Sequence, residues 1–497
     1  MIARMSNLPH NLYCAAQVRA LDRIAIDQFS IPGIELMTRA GTAAFAVLRH
    51  RWPQARRITV ACGGGNNGGD GFVVARLAHA AGLKVTVSLL AEARSLKGDA
   101  LQAFEAMMAA GLEPQAFTTN ALSDVDLIVD AMLGTGLDCE VEAAWRDAIV
   151  AINATPLPVL ALDIPSGLNA DTGEVMGAAV CAAATISFIG VKQGTLTAAG
   201  ADHCGEILFD GLQLPAAVYK NIEPSAQRID HPSLAALLPR RSRSTHKGDC
   251  GHVLLIGGAP GMSGAVRMAG EAALRSGAGW VSLATSPEHA AVINLTRPEL
   301  MVHAVDNAAA LSALINRADV IAIGPGLGTS RWGMAMLDAA LSCDTPLVID
   351  ADALNLLAIE PSMRDDWVLT PHPGEASRLL NITTAEVQAD RFFAADALQR
   401  RYGGVVVLKG SGSVVVDQEG AVALCDAGNP GMASGGMGDV LTGVIAALIA
   451  QGLSLADAAR LGVCLHAAAA DRAVGQGERG LLASDLMPHL RKLVNGC

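Results

Sequence analysis

The feature that most constrains the fold is an alternation of short apolar runs with helical segments, repeated in both halves of the chain. In the first half, buried strands are predicted at residues 57–61, 84–90, 126–131, 159–162, 185–189 and 206–209. Helices are predicted at residues 15–26, 33–49, 71–81, 98–110 and 142–153. This alternation predicts a parallel sheet covered on both faces, with ligands bound beyond the carboxyl ends of the strands.

The second half restarts the alternation after a proline-rich break. Strands are predicted at residues 252–258, 281–284, 320–323, 347–350, 367–370 and 405–409, with a small hairpin at 414–417 and 422–423. Helices are predicted at residues 264–277 and 440–449. The break, residues 214–245, holds four prolines and leads into the basic run RRSRSTHK at residues 240–247. We therefore predict an α/β protein with domains at residues 1–213 and 230–497, joined by a linker at 214–229.

Composition excludes several classes of partner. The net charge of −12 argues against binding to nucleic acid or to an anionic membrane, although helix ends can still hold a phosphorylated ligand. The ten cysteines are scattered without CxxC spacing, which disfavours a zinc site and fits a reducing compartment. The first residues contain no apolar core of signal-peptide length. We expect a soluble cytoplasmic protein.

The most distinctive stretch is NPGMASGGMGDVLTG, residues 429–443, which leads into an apolar helix. Gly435, Gly436 and Gly438 lie where a loop enters that helix, so free N–H groups and the helix dipole predict an anion site. Asp439 would place a base or a proton donor beside the anion. The alternative is a glycine-rich turn in which Asp439 is only a favourable charge at the helix start.

In the first half, GNNGGDG follows the strand predicted at 57–61. Its spacing matches neither the dinucleotide fingerprint nor a P-loop, but it offers two amides, a carboxylate and free N–H groups at a helix start. The alternative is a turn in which Asp70 caps the helix. Asn67, Asp130 and Ser166 each lie at or just past a predicted strand end and present only oxygen atoms. That set suits a weakly bound monovalent cation better than zinc.

Other polar residues lie at strand ends in both halves. Asp163 and Lys192 are candidates for one cleft; the alternatives are an Asx turn and a surface lysine. Asp350 and Asp352 are either ligands or helix caps. His372, between two prolines, is either a substrate contact or a structural histidine. Lys409, Gly410, Ser411, Gly412 and Ser413 combine a cation, hydroxyls and flexible backbone that suit phosphates, whereas a simple β-turn is the alternative.

Taken together, these motifs resemble a known family. GNNGGDGF, LGTG, DIPSG and FIGVKQG are similar to the NAD(P)H-hydrate epimerase domain. HKGDCGHVLLIGG, GPGLG, DADALN, TPHPGE, KGSGS and NPGMASGGMGD are similar to the ribokinase-like, ADP-dependent NAD(P)H-hydrate dehydratase domain. The order of the motifs and nearly the whole chain match the fused bacterial repair enzymes. The resemblance implies a Rossmann-like three-layer α/β/α first domain and a ribokinase-like α/β second domain.

The resemblance also implies site residues. Hydrate-binding residues of the first domain would be Asn66, Asn67, Gly68, Gly69, Asp70, Gly134, Thr135, Gly136 and Asp163. Potassium ligands would be Asn67, Asp130 and Ser166. Hydrate-binding residues of the second domain would be Ala265, Gly326, His372 and Asp439. Nucleotide-binding residues would be Lys409, Gly410, Ser411, Gly412, Ser413 and Gly438. The catalytic residues would be Asp163, Lys192 and Asp439.

The implied activity is epimerisation of hydrated NADH and NADPH, followed by ADP-dependent dehydration of the S epimer. ADP would be the co-substrate, Mg²⁺ would accompany the nucleotide, and the protein would be a homo-oligomer. One departure is that Asp138 and Cys139 stand where the family tends to have an arginine after GTGL. A phosphate contact there is expected to be weaker or to come from another residue. Two alternatives stay open: a ribokinase-like small-molecule kinase, and a first domain that binds ligands without catalysis.

Overall fold

The computed structural model describes residues 8–495, so Cys497 and the first residues of the chain lie outside the described part. The chain divides into two compact units, Met1–Gln227 and Arg228–Cys497. The division falls within the predicted linker, residues 214–229, which also contains a short strand at Ala226–Arg228. Every helix within residues 8–495 is too short or too polar to span a lipid bilayer.

The first unit alternates strands and helices along most of its length. Its strands are β1 (Asn11–Tyr13), β2 (Arg57–Cys62), β3 (Lys84–Leu89), β4 (Gln115–Ala116), β5 (Leu127–Ala131), β6 (Val159–Leu162), β7 (Ala184–Phe188), β8 (Val191–Lys192), β9 (Glu206–Asp210) and β10 (Ala226–Arg228). Its helices are α1 (Ala15–Phe29), α2 (Gly33–Arg51), α3 (Asn66–Ala80), α4 (Gly98–Ala109), α5 (Ala143–Asn153) and α6 (Gly200–His203).

The sheet of the first unit is parallel and buried on both faces. Its strand order is β4-β3-β2-β5-β6-β7-β9, and every pairing within it is parallel. Val60 packs in one hydrophobic cluster with residues of α1–α4, whereas its neighbour Ala61 packs in a second cluster with residues of α5. Burial of successive residues on opposite faces explains why the strands are continuous apolar runs. The predicted three-layer α/β/α arrangement is confirmed.

The second unit follows the same plan with more helices. Its strands are β11 (His252–Ile256), β12 (Trp280–Thr285), β13 (Met301–Ala304), β14 (Val320–Ile323), β15 (Leu347–Ile349), β16 (Trp367–Leu369), β17 (Val405–Leu408), β18 (Ser413–Val416) and β19 (Val422–Cys425). Its helices are α7 (His231–Leu234), α8 (Ser263–Arg275), α9 (Pro287–Ala290), α10 (Ala308–Ile315), α11 (Arg331–Leu341), α12 (Ala351–Ile359), α13 (Pro373–Leu380), α14 (Thr384–Ala389), α15 (Arg391–Tyr402), α16 (Met437–Ala450), α17 (Leu455–Ala473) and α18 (Met487–Leu493).

The strands of the second unit follow the order β13-β12-β11-β14-β15-β16-β17-β18-β19. Pairing is parallel from β13 to β17 and antiparallel through β18 and β19. The predicted hairpin is confirmed, and it extends the sheet instead of standing apart from it. Helices α8, α16 and α17 supply much of the hydrophobic core of this unit.

Two helix starts differ from the sequence predictions. Helix α3 begins at Asn66, five residues before the predicted start at residue 71, so Asn66, Asn67, Gly68, Gly69 and Asp70 form its first turn and not a loop. A Cβ on Gly68 would lie 2.0 Å from the carbonyl oxygen of Gly63. Glycine is therefore required here for close packing of the helix start, not for positive φ.

Helix α16 likewise begins before the predicted residue 440. It starts at Met437 with Gly436 as its N-cap at φ 91°, a left-handed conformation that favours glycine. Gly438 and Asp439 therefore lie in the first helical turn, where N–H groups have no intrahelical acceptor.

Close contact between α8 and α16 gives a stability prediction. A Cβ on Gly443 would lie 2.0 Å from the carbonyl oxygen of Ala269, whereas a Cβ on Gly264, also helical, would meet nothing within 4 Å. We expect Gly443→Ala to lower the free energy of unfolding by about 1–3 kcal/mol because the two backbones must separate. Gly264→Ala is the control, and we expect it to be neutral or stabilising by up to about 1 kcal/mol. Equal unfolding midpoints in urea would contradict the close-packing argument.

Candidate active sites in the two units

Three oxygen-bearing residues of the first unit meet at the carboxyl ends of β2, β5 and β6. Asp130, near the end of β5, is fully buried. Its carboxylate accepts hydrogen bonds from the Ser166 hydroxyl at 2.5 Å, from the Ser166 N–H at 2.8 Å and from the Met132 N–H at 3.2 Å. Burial raises the pKa of Asp130 to about 6, although the hydrogen bonds from Ser166 oppose this rise.

Asn67 completes this group from the first turn of α3. Its Nδ2 donates to the carbonyl oxygen of Leu133 at 3.0 Å, and Ser166 Oγ also contacts the backbone of Leu133. Asn67 Oδ1 is buried without a hydrogen-bond partner, which costs about 1–3 kcal/mol if it stays unsatisfied. A cation would satisfy this oxygen, and the nearby carboxylate and hydroxyl offer further oxygen ligands. The donor set therefore fits a potassium ion.

Asp163 and Lys192 form an ion pair beside this group. Lys192 is completely buried, and its ammonium group donates to the Asp163 carboxylate, to the Phe188 carbonyl at 3.0 Å and to Ser187 Oγ at 3.2 Å. The Phe188 N–H also donates to Asp163 Oδ1, at 3.1 Å. Asp163 has φ 65°, a costly conformation that is retained where surrounding contacts fix the side chain. The two residues predicted to share a cleft are in contact.

Two further carboxylates lie near this ion pair. Burial raises the pKa of Asp22, on α1, to about 6, and the charge of Asp163 adds to the rise. Burial also raises the pKa of Asp70, on α3, well above its ordinary value, and the charges of Asp163 and Asp22 contribute. Three carboxyl groups therefore lie near one lysine, and burial together with the neighbouring carboxylates favours the protonated forms of Asp22 and Asp70.

The LGTG segment borders the same group. A Cβ on Gly134 would lie 3.3 Å from Cβ of Asn67, so the segment packs against the start of α3. The Thr135 carbonyl accepts a hydrogen bond of 3.2 Å from Arg19 Nη1, and Gly136 is exposed. A guanidinium group from α1 therefore lies beside the segment that precedes Asp138 and Cys139.

In the second unit, Asp439 lies in the first turn of α16. Burial raises the pKa of its carboxyl group to about 7, and the charges of Asp350, Asp352 and Glu375 add to the rise while Lys409 opposes it. A carboxyl group with a pKa near neutrality can accept a proton from a substrate hydroxyl.

Asp350, which is buried, and Lys409 form an ion pair in this site. Asp350 Oδ1 accepts hydrogen bonds from Lys409 Nζ at 2.7 Å and from Thr370 Oγ1 at 2.9 Å, and Oδ2 accepts one from Thr442 Oγ1 at 2.8 Å. Burial alone would raise the pKa of Asp350, but the charge of Lys409 and these hydrogen bonds hold it below its ordinary value. Asp350 is therefore an ion-pair partner and not the simple helix cap of the alternative reading.

His372 and Glu375 lie on the other side of Lys409. His372 caps α13, because its Nδ1 accepts from the N–H groups of Gly374 at 3.0 Å and Glu375 at 3.3 Å. The Glu375 carboxylate lies 3.8 Å from Lys409 Nζ and accepts the His372 N–H at 2.8 Å. His372 is half-exposed, and its Nε2 lies 3.3 Å from the Glu375 carboxylate, so both ring nitrogens have partners in the TPHPGE turn.

The remaining predicted hydrate contacts cluster near the start of α8. A Cβ on Gly326, which has φ 59°, would lie 3.2 Å from Cβ of Ala265. Asp352, the other candidate of the DADALN motif, accepts the Gly328 N–H at 2.8 Å. It therefore fixes the GPGLG turn.

Arg391 organises the nucleotide loop predicted at residues 409–413. Its side chain is almost fully buried, and Nη2 donates to the carbonyls of Leu408 at 3.2 Å, Lys409 at 3.3 Å and Gly412 at 3.3 Å. Burial lowers the pKa of Arg391 to about 10, which still leaves it charged. A Cβ on Gly410 would lie 2.7 Å from Arg391 Nη1, so the loop lies directly on the guanidinium group.

Comparison with known proteins gives two sequence families in order along the chain. A family described as YjeF-related protein N-terminus matches residues 33–194, and one described as NAD(P)H-hydrate dehydratase matches residues 253–492. The bifunctional NAD(P)H-hydrate repair enzyme Nnr of Coxiella burnetii is 53% identical, covering 97% of this chain and 99% of that protein. The enzyme of the same name from Escherichia coli is 47% identical, covering 98% and 95%. The chain belongs to the family of bifunctional NAD(P)H-hydrate repair enzymes.

A solved structure agrees with this assignment for the second unit. A ribokinase-like superfamily protein from Enterococcus faecalis is 28% identical with a TM-score of 0.51, covering 54% of this chain and 95% of that chain. The predicted fold class and the resemblance to the NAD(P)H-hydrate repair family are therefore confirmed. The individual site residues, the potassium ion and the domain limits stay predictions.

Several residues of these candidate sites were not predicted from the sequence. Asp22 is one acidic position of an amphipathic helix, and Arg391 is one of several arginines on α15. Thr442 follows Asp439 by three residues, so helical spacing gave a signal for it. Glu375 lies in TPHPGE, where a histidine followed by glutamate three residues later resembles a capping box.

Arg391 gives a stability prediction for this unit. We expect Arg391→Met to lower the free energy of unfolding by about 3 kcal/mol or more, because the carbonyls of residues 408, 409 and 412 lose a buried donor. Arg400→Met, on the exposed face of the same helix, is the control and should change it by less than about 0.5 kcal/mol. Urea unfolding of the two variants, followed by tryptophan fluorescence, distinguishes them; similar midpoints would refute the assigned role.

Proposed function

We propose that this chain repairs hydrated NADH and NADPH by epimerising their R and S forms and dehydrating the S form with ADP. The observation that carries the proposal is that both halves of a bifunctional family are present, each with a lysine held by a carboxylate at its strand ends. A stereospecific dehydratase uses one epimer, so a fused epimerase would supply it from the other. Both activities concern the same damaged coenzyme.

Epimerisation requires the C6 hydroxyl to leave and to return on the opposite face. The lone pair of the ring nitrogen expels the hydroxyl as water once a proton has been supplied, and water then adds to the other face of the cationic ring. Asp163 is suited to shuttle that proton between the two faces, and the ammonium group of Lys192 fixes the carboxylate in place and sets its charge. Asp22 and Asp70, whose pKa values are raised, are nearby carboxyl groups suited to carry protons.

Asn67, Asp130 and Ser166 would hold a potassium ion in this unit. The ion would neutralise the buried carboxylate of Asp130 and satisfy the buried amide oxygen of Asn67. It would thereby fix the first turn of α3, which carries the predicted hydrate-binding residues.

The epimerase assignment makes a prediction for Asp163. We expect Asp163→Ala to reduce exchange between the hydrate epimers by roughly 10²-fold or more, because the proton donor is lost. Dehydration of the S epimer supplied alone should be unchanged, which serves as the internal control. Chiral chromatography of the two epimers over time measures the exchange. Exchange at the wild-type rate would rule the assignment out.

The potassium assignment makes a separate prediction. We expect KCl, compared with NaCl at equal ionic strength, to raise the thermal unfolding temperature of the first unit, because the ion satisfies buried oxygens. Asn67→Leu should abolish that difference, while Asn120→Leu, in an exposed turn of the same unit, should leave it unchanged. Differential scanning calorimetry gives the comparison. An equal response of wild type and Asn67→Leu would contradict the site.

Dehydration requires a better leaving group than hydroxide. Transfer of the β-phosphoryl group of ADP to the C6 hydroxyl gives AMP and a phosphate ester, and loss of phosphate together with a C5 proton restores the nicotinamide. Asp439 is suited to accept the hydroxyl proton, and the N–H groups at the start of α16 are suited to hold the phosphoryl oxygens.

Lys409, Gly410, Ser411, Gly412, Ser413 and Gly438 would bind the nucleotide. Arg391 donates hydrogen bonds to the carbonyls of residues 408, 409 and 412, which fixes the backbone of this loop for the ligand. Mg²⁺ would accompany the nucleotide and neutralise phosphate charge. Within residues 8–495 there is no group of three histidine, cysteine or acidic side chains arranged to hold a metal, so phosphate oxygens and water would be its main ligands.

The pKa of Asp439 gives a pH prediction. Because the raised pKa is about 7, the basic carboxylate form declines as pH falls through 7, and kcat/KM for dehydration should fall about tenfold per pH unit below it. Asp439→Asn should abolish ADP-dependent recovery of absorbance at 340 nm while keeping the fold. Turnover by Asp439→Asn, or a flat profile between pH 5 and pH 7, would refute this role.

Two other functions remain testable. A ribokinase-like small-molecule kinase would accumulate a stable phosphorylated product, whereas the proposed dehydratase releases free phosphate. A non-catalytic first unit would leave the epimers unexchanged even in the full chain. We also propose a cytoplasmic homo-oligomer, which light scattering during gel filtration and cell fractionation would test.

A further inference from the structure

We propose that Asp350 is a positioning residue that holds the ammonium group of Lys409 beneath the start of α16, where Lys409 acts on the phosphoryl group as it is transferred. This inference rests on the proposed dehydratase and on Asp439 as its base. It assigns to Lys409 a place at the reacting phosphate, beyond its predicted part in nucleotide binding. It also gives a function to Asp350, for which the sequence predicted either a ligand or a helix cap.

The geometry of Asp350 supports a positioning role. Its side chain is buried, and hydrogen bonds from Thr370 and Thr442 fix the carboxylate from β16 and α16. Lys409 Nζ donates to the same carboxylate at 2.7 Å. A carboxylate fixed from two elements fixes its lysine in turn, since the charge-assisted bond is short and directional. Buried charges in such a pair are tolerated only with this degree of hydrogen bonding.

Lys409 lies directly under the predicted phosphate site. A Cβ added to Gly438 would lie 3.1 Å from Lys409 Nζ and 3.5 Å from Asp350 Oδ2. Gly438 is in the first turn of α16, next to Asp439, where free N–H groups face an incoming anion. Any larger residue at 438 would lie between the ammonium group and that position. Glycine therefore opens a path from Lys409 to the phosphate.

The charges around Asp439 make one lysine decisive. The charges of three carboxyl groups, Asp350, Asp352 and Glu375, raise the pKa of Asp439, and the charge of Lys409 lowers it. Burial and the charge of Lys409 lower the pKa of His372, at the N-cap of α13, and that of His466, on α17, which disfavours the cationic form of both histidines. A diphosphate would meet mainly negative charge here without Lys409. The carboxylates of Asp350 and Glu375 keep the pKa of Lys409 raised despite its burial.

This arrangement predicts opposite effects for the two partners. Asp350 raises the pKa of Asp439 and Lys409 lowers it. Asp350→Asn should therefore move the acid limb of the kcat/KM profile to lower pH by about one unit, and Lys409→Met should move it to higher pH. Both variants should lower kcat for dehydration by roughly tenfold or more, because the phosphoryl group loses a positioned cation. A role confined to folding would lower the amount of active enzyme without moving either limb.

The experiment measures ADP-dependent dehydration of the S epimer by the full chain between pH 5 and pH 9. Wild type, Asp350→Asn, Lys409→Met and Thr442→Val are compared, with thermal unfolding as the test of folding. Thr442→Val keeps the charge of Asp350 and removes one of its hydrogen bonds, so kcat should fall several-fold while the acid limb stays in place.

Opposite shifts of the limb support the inference. A limb that moves upward in Asp350→Asn, or that does not move, overturns it, and so does a kcat within twofold of wild type in that variant. If Asp350→Asn does not fold, Thr442→Val and Lys409→Met decide: wild-type kcat in either overturns it. A wild-type chain that does not restore the coenzyme with ADP would instead overturn the proposed function, which separates the two failures.

Discussion

An ion pair between a lysine and a carboxylate, with one of the two partners fully buried, is the interaction on which both candidate sites depend. In the first unit Lys192 pairs with Asp163, and in the second Lys409 pairs with Asp350. Removing these charges from water costs several kcal/mol per ion, so each pair persists only because hydroxyl and backbone groups complete its hydrogen bonds. Chemistry that needs both a proton acceptor and a fixed cation gives a reason to retain them.

The parallel sheets provide the place for such pairs. Because strand interiors are buried on both faces, acidic and basic side chains of these sheets lie at or near the strand ends and at the helix starts that follow them. Asp163 follows β6, Asp350 follows β15 and Lys409 follows β17. Close packing of helix starts on these ends then brings backbone N–H groups to the same edge. The topology of the parallel sheet therefore determines where each site lies, and the individual side chains determine its chemistry.

The sequence predicted the alternation, the fold class and most strand positions because burial on two faces leaves a continuous apolar run. It misplaced the starts of α3 and α16 because a glycine-rich segment is typical of a loop, whereas here Gly68 allows close packing in the first turn of α3 and Gly436 provides the left-handed N-cap of α16. It predicted that Asp163 and Lys192 share one cleft because both follow strands predicted from the sequence. It did not predict Asp22 or Arg391, since each reaches its site across the fold from a helix face with no local motif.

The contact of Gly443 with the carbonyl of Ala269 has a consequence for motion. It joins the backbone of the helix that carries Asp439 to the backbone of the helix that begins beside Ala265. Because no side chain lies between the two backbones at this contact, we expect the two helices to move together. Closure over a coenzyme would therefore bring other segments toward this pair, and the distance between Asp439 and Ala265 would be the same in open and closed states.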